Sequence, residues 1–316
     1  MSGFVGESSL PATKARIPTS PALLSAPYAV VLLIRIILER IAIRPAFRRL
    51  GAGTPGLLRV IGVPTRQTSA TRSFSEIILL GIDLPATMDA PLQQRSGRAV
   101  WYSFGILVAN AAAIILQIDP GELQVGVRAV RRGLSHRLHG EVFLYDDVPG
   151  GAGYARAIEQ NMKAILEKAL ELGEHCENPS CGGACYHCMF DYRKQMLHPL
   201  LDRALGAALL RFVLRHQQPS LSPDQISRGA DSLAEYARTS WEVLPGRVVG
   251  GHYFPRVLRD QDGVEVGPWV IHPLQARPTS DGRQAFLSAH GLRCAVHTAF
   301  DLERRPFWVL NHLVTL

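Results

Sequence analysis

The sequence is short of lysine, of scattered cysteine and of the glycine–lysine signature that a nucleotide motor needs. Only Lys14, Lys163, Lys168 and Lys194 are present, so thirty of the 34 basic side chains are arginines. Such a ratio arises as readily from GC-rich coding as from selection for phosphate contacts, and on its own it does not indicate nucleic acid. The one glycine-rich turn, Gly150-Gly151-Ala152-Gly153, is followed by neither Lys-Ser nor Lys-Thr, which excludes a P-loop, and it lacks the glycine spacing of a dinucleotide fingerprint. A secretory signal is missing from the start, and of five cysteines Cys294 is left over, so a disulfide framework is disfavoured. A clean apolar run of about 20 residues is also missing from the segment after Tyr28, because Arg35, Glu39, Arg40 and Arg44 interrupt it. Those charges are spaced for one helix face and predict an amphipathic helix packed on protein, with no membrane span, a membrane-surface or partner-binding helix being the alternative.

What is present is enough for a folded protein. The chain has 316 residues, 47% of them hydrophobic, and a formal net charge of +7. Residues 1–60 hold eight basic and two acidic side chains, so nearly all of the excess lies there. Residues 1–64 read as a mobile leader and the amphipathic helix, 65–216 as a core domain, 217–230 as a Pro/Ser/Gln linker, and 231–316 as a smaller C-terminal α/β domain. The expected class is therefore α+β.

Chemical content is concentrated between Tyr145 and Arg203. Cys176, Cys181, Cys185 and Cys188 lie in a knuckle with Pro179, Gly182 and Gly183 to bend it, between two segments of helical periodicity. Four thiols at this spacing suit one tetrahedral Zn2+. An iron–sulfur cluster, free thiols or a disulfide pair are the alternatives, and His175, His187 or His198 could each stand in for a thiol. Four protein ligands would leave no open position for water, so such a zinc is structural rather than hydrolytic.

Around this knuckle the pattern predicts a buried strand over 72–84, a central helix over 97–117, and a strand starting at Leu123. A turn carrying Arg128, Arg131, Arg132 and Arg137 leads into the strand EVFLYD and the glycine loop. A helix then carries Tyr154, Ile158, Ile165, Ala169 and Leu172 on one face, with Gly173 ending it. Pro199 is expected to open a second helix running to Val213, with His198 paired to Asp202. Exposed N–H groups of Gly150, Gly151 and Gly153 beside the arginines form the combination that phosphate contacts favour, while a solvated charged loop is the default for the arginines and tight packing the equal alternative for the glycines. Asp146 and Asp147 suit capping or turn roles. In the C-terminal domain, strand, helix and strand in succession suggest a βαβ unit with Cys294 buried, and Arg304, Arg305 and Trp308 form an arginine–aromatic edge.

The stretches LYDDVPGGAGYA, CYHCMFDYRKQ and HPLLDR together resemble the MrfA-type zinc-binding domain, with matching motifs over about Thr68 to Val213. That domain sits at the C-terminal end of some bacterial superfamily 2 helicases and in an accessory protein of the DISARM phage-defence system. The resemblance implies a cytoplasmic, non-catalytic module that works beside a superfamily 2 helicase subunit and DNA. This chain carries no helicase ATPase, and residues from about 217 onward lie outside the motifs. A metal-dependent nuclease using Asp146, Asp147, His198 or Asp202 is the alternative from another class, and a purely protein-binding scaffold is a third.

Overall fold

The computed structural model describes residues 46–48, 58–66, 74–131, 138–146, 152–279 and 289–315, with 282 and 286 between the last two. The amphipathic helix expected after Tyr28 lies outside the described residues.

The first sheet has five antiparallel strands: β1 (Ala46–Arg48), β2 (Leu58–Arg66), β3 (Phe74–Ile82), β4 (Leu123–Arg131) and β5 (Leu138–Asp146), in the order β1-β2-β3-β5-β4. It draws in β2, which begins seven residues before the boundary expected at 65. Helix α1 (Arg95–Leu116) lies across this sheet. The close approach depends on two glycines: a Cβ at Gly105 would stand 2.7 Å from Val125 Cγ1, and one at Gly140 would stand 2.3 Å from Trp101 Nε1. Trp101 donates Nε1–H to the Ala90 carbonyl at 2.8 Å, so the buried indole leaves no polar atom unpaired.

On the other side of α1 lie α3 (Met162–Glu174) and α4 (Arg203–Arg215), preceded by the short α2 (Tyr154–Gln160). Leu107 of α1 meets both Gly173 and Gly206. Helix α1 is thus sandwiched between sheet and helices, which explains its apolar residues on nearly every side. Among the described residues it is the one helix long and apolar enough to cross a membrane, yet 72% of its most apolar window is buried inside the protein.

Three local expectations change. The single helix from Tyr154 is broken at Asn161, whose Nδ2 and N both donate to the Ala157 carbonyl. Gly173 lies inside the last turn of α3 and serves as a contact point rather than a terminator. Pro199 lies in a 3-10 run over Tyr192–Leu200, and α4 starts at Arg203, because the Asp202 carboxylate accepts the Ala204 N–H at 2.9 Å and caps it.

A second, four-stranded sheet follows helix α5 (Pro223–Ala237), which occupies the second half of the stretch read as linker. Its strands β6 (Glu242–Val249), β7 (His252–Arg259), β8 (Glu265–Ile271) and β9 (Arg293–Thr298) stand in chain order. Only β8 and β9 run parallel, as the βαβ reading requires. Helices α6 (Ala299–Arg304) and α7 (Pro306–Val314) close the chain. Asp89 N–H donates to the Leu274 carbonyl and Ala276 N–H to the Thr87 carbonyl, and Leu274 and Phe300 enter the core around α1. The fold is α+β, as the patterning predicts.

Candidate metal centre

The knuckle is held from three sides. Arg203 donates Nη1–H to the carbonyls of Gly173 and Glu174 at 3.1 Å each, and Arg211 binds the Glu174 carboxylate at 2.7 Å. These contacts fix the end of α3, two residues before Cys176. Arg203 also donates its backbone N–H to the Gly183 carbonyl at 2.8 Å, which ties the knuckle to the start of α4. From α1, Asn110 Nδ2 donates to the Cys188 carbonyl at 3.1 Å. Inside the knuckle the Cys185 carbonyl accepts the N–H groups of Cys188, Met189 and Phe190, and Cys185 N–H points at Cys188 Sγ at 3.2 Å. Gly183 has φ +139°, a conformation that suits glycine.

The four sulfurs converge within 4.8 Å of one another. Cys176–Cys185, Cys185–Cys188 and Cys181–Cys188 are 3.6, 3.8 and 3.9 Å apart. A tetrahedron with Zn–S bonds of about 2.3 Å has edges of about 3.8 Å, whereas a disulfide brings its sulfurs to about 2.05 Å. The spacing fits a tetrathiolate ion and not a disulfide pair. Burial raises the Cys185 thiol, but the His187 N–H and the neighbouring thiols outweigh it and bring it down to about 7. Burial pushes Cys176 and Cys188 upward, and a central cation would draw off those protons.

The histidines are occupied elsewhere or stand aside. His198 stacks on Phe190 with centroids 4.0 Å apart and meets the Asp191 carbonyl at 3.0 Å. It does not pair with Asp202, a correction that follows from where α4 begins. Asp202 is buried, caps α4, and takes its own N–H to Ser103 Oγ at 2.9 Å. Burial pushes its carboxyl above the usual range, with the Ala204 N–H and Arg304 pulling the other way.

The expected phosphate surface is only partly described. Arg128 forms an ion pair with Glu141 on the neighbouring strand at 2.7 Å, and Arg131 ends β4. Arg132, Arg137, Asp147, Gly150 and Gly151 lie outside the described residues. Gly153, with φ +78°, precedes α2. Asp146 is buried and its Oδ2 accepts the Ala152 N–H at 2.7 Å, so a carboxylate already holds one of the loop donors. The supports Asn110, Arg203 and Arg211 were missed from sequence, because no spacing rule links them to the cysteines.

Comparisons with known proteins agree with this geometry. Residues 104–189 match the family model of the MrfA Zn-binding domain. Over 110 residues, 34% of this chain, it is 38% identical to the Druantia protein DruE of Escherichia coli, of which this covers 6%. Over 73 residues, 23% of the chain, it is 29% identical to an uncharacterized protein of Methanocaldococcus jannaschii, covering 62% of it. The chain thus spans only part of both relatives. Two crystal structures of the DUF1998 helicase MrfA are also similar. The DNA-bound one has a TM-score of 0.30 and 13% identity over 50% of this chain and 24% of that chain. The one bound to DNA and AMPPNP has 0.27 and 17% over 53% and 21%. Residues 104–189 thus match the MrfA Zn-binding domain, and the four converging thiols within that segment are consistent with zinc binding.

Proposed function

We propose that the chain is a zinc-stabilised, non-catalytic accessory module that acts with a superfamily 2 helicase in bacterial DNA repair or phage defence and contacts nucleic acid. The observation that carries this reading is the tetrathiolate geometry inside the matched zinc-binding domain. Cys176, Cys181, Cys185 and Cys188 hold the zinc, and a filled tetrahedron leaves no position for an attacking water. The Druantia protein supplies the defence context. The zinc-binding domain is residues 65–216 extended by β2, and the C-terminal domain, expected at 231–316, begins earlier, with the helix that starts at Pro223.

Nucleic acid meets the β4–β5 hairpin through Arg131, Arg132 and Arg137, next to the Gly150, Gly151 and Gly153 loop. Among the described strands β4 is an edge of the first sheet. Arg128 contributes less, because Glu141 already neutralises it. Replacing Arg131 and Arg132 together by Ala should weaken DNA binding similarly across sequences and lower the salt slope by about two units, one for each phosphate that is no longer neutralised. Unchanged affinity with unchanged slope would remove this surface from the reading. Asp146 and Asp202 each accept a backbone N–H, which fits the turn and capping roles, and a metal-dependent nuclease is the second reading.

A further inference from the structure

The outer side of the zinc knuckle carries apolar surface that neither the thiolate cluster nor the core uses. Tyr186 is 64% exposed, Tyr192 78% and Met196 91%, so three large apolar side chains face water within residues 186–196. Met189, between them in sequence, is buried in the core around α1. Single exposed apolar groups are ordinary, whereas several gathered in one stretch mark a contact surface.

The arrangement of the rings narrows what that contact is. Phe190 and His198 are stacked, with centroids 4.0 Å apart and planes 10° from parallel. Tyr186 stands 5.6 Å from each of them and nearly perpendicular to both, at 84° and 87°. The equal distances place its ring beside the stack, level with its middle, and not on either end. His198 is fixed in turn by the Asp191 carbonyl at 3.0 Å, while the Asp191 carboxylate accepts the Arg193 N–H at 2.9 Å and pairs with Lys194 at 3.6 Å. Tyr186 is therefore held in one orientation with open ring surface toward solvent. A ring set in this way loses little freedom when a second planar ring stacks on it.

The charges here do not add up to a phosphate site. Lys194 is tied to Asp191, and Arg193 places Nη1 against Gly121, where Asp119 Oδ1 lies close by. What the surface offers is the aromatic face. Its position relative to the hairpin arginines is informative: Arg193 reaches the chain two residues before β4 begins at Leu123, and Arg131 ends the same strand. Eight steps along a strand cover about 27 Å. One extended nucleic-acid strand lying along β4 can therefore meet the hairpin at one end and the knuckle at the other.

We propose that Tyr186, with Tyr192 as a second ring, is a stacking platform for unpaired bases of a single nucleic-acid strand whose phosphates lie at the β4–β5 hairpin. The inference rests on the reading that the chain contacts nucleic acid, and it adds that the strand is single, because a base inside a duplex has both faces occupied. Stacking of this kind tolerates any base, since each has a π-face.

The test is an anisotropy titration of the zinc-loaded full chain with a labelled oligothymidine long enough to span both places. An oligouridine, an abasic strand with the same number of phosphates, and a duplex complete the series. We expect both base-bearing strands to bind at least about fivefold more tightly than the abasic strand, the low end of what one base–aromatic stack contributes. Preference between the two names the strand as DNA or RNA. Tyr186→Ala should lose that advantage while the salt slope and duplex binding stay as they were. Tyr186→Phe should keep it, and Tyr186→Leu, apolar without a π-face, should not. Tyr192→Ala should show a smaller loss of the same kind. Elemental analysis verifies that each variant holds zinc, and if Tyr186→Ala does not, Tyr186→Leu decides by the same criterion. Equal binding of base-bearing and abasic strands, or a zinc-loaded Tyr186→Ala chain that keeps the preference, overturns the proposal and leaves these rings to a protein partner. A lowered salt slope belongs to the hairpin arginines and a lost base preference to the platform, so the two readings fail separately; binding to no strand at all overturns both.

Discussion

Replacing Cys185 by Ser should open the zinc knuckle while leaving the helices beneath it folded. The thirteen residues from Cys176 to Cys188 contain no helix or strand, and their ordering costs about 1 kcal/mol each at the low end, so about 13 kcal/mol. Apolar burial offsets little of this, since the knuckle's main anchor into the core is Met189, worth about 2 kcal/mol. A structural zinc supplies about 10–16 kcal/mol, enough to offset the difference. The core around α1 has no such dependence, because Trp101, Phe104, Leu107 and Leu209 are fully buried on protein. Elemental analysis should show zinc falling from one per chain to near zero. Hydrogen exchange should accelerate at least a thousandfold at the Cys188, Met189 and Phe190 amides, which rely on the Cys185 carbonyl. Amides of α1 and α4 should keep most of their protection. A variant that retains zinc, or whose knuckle exchanges as slowly as the parent, would refute the reasoning, and so would unfolding of the whole chain.

Two further changes test the supports of this corner. Gly206→Ala should destabilise by about 1–3 kcal/mol, because the new Cβ would meet the Ser103 backbone at 3.0 Å and Leu107 Cδ1 at 2.6 Å, outweighing about 1 kcal/mol of helix propensity. Gly182→Ala, with nothing within 4 Å, is the control and should stay within about 0.5 kcal/mol in a denaturant titration. The Arg211 hydrogen bond and charge hold the Glu174 carboxyl below its usual value despite partial burial. Its stabilisation is therefore fully present above about pH 4.5 and is lost as pH falls through the lowered value. Glu174→Gln should cost about 0.5–1 kcal/mol at pH 7 and flatten that acid limb, and an unchanged limb would show that the pair does not contribute.

What was legible in the sequence is what a short window contains. The thiols of Cys181, Cys185 and Cys188 lie within eight residues, so spacing alone pointed to a shared metal ion. The alternation of Leu123, Val125 and Val127 and the all-round apolarity of 97–117 each report a local burial environment, and both elements appear where expected. Boundaries failed where a side chain decided them from outside the window. Asp202 starts α4 three residues after Pro199, and its N–H bond to Ser103 links positions 99 residues apart. Gly173 reads as a terminator, since only the position of Ala207 and Leu107 reveals why a Cβ is unwelcome there.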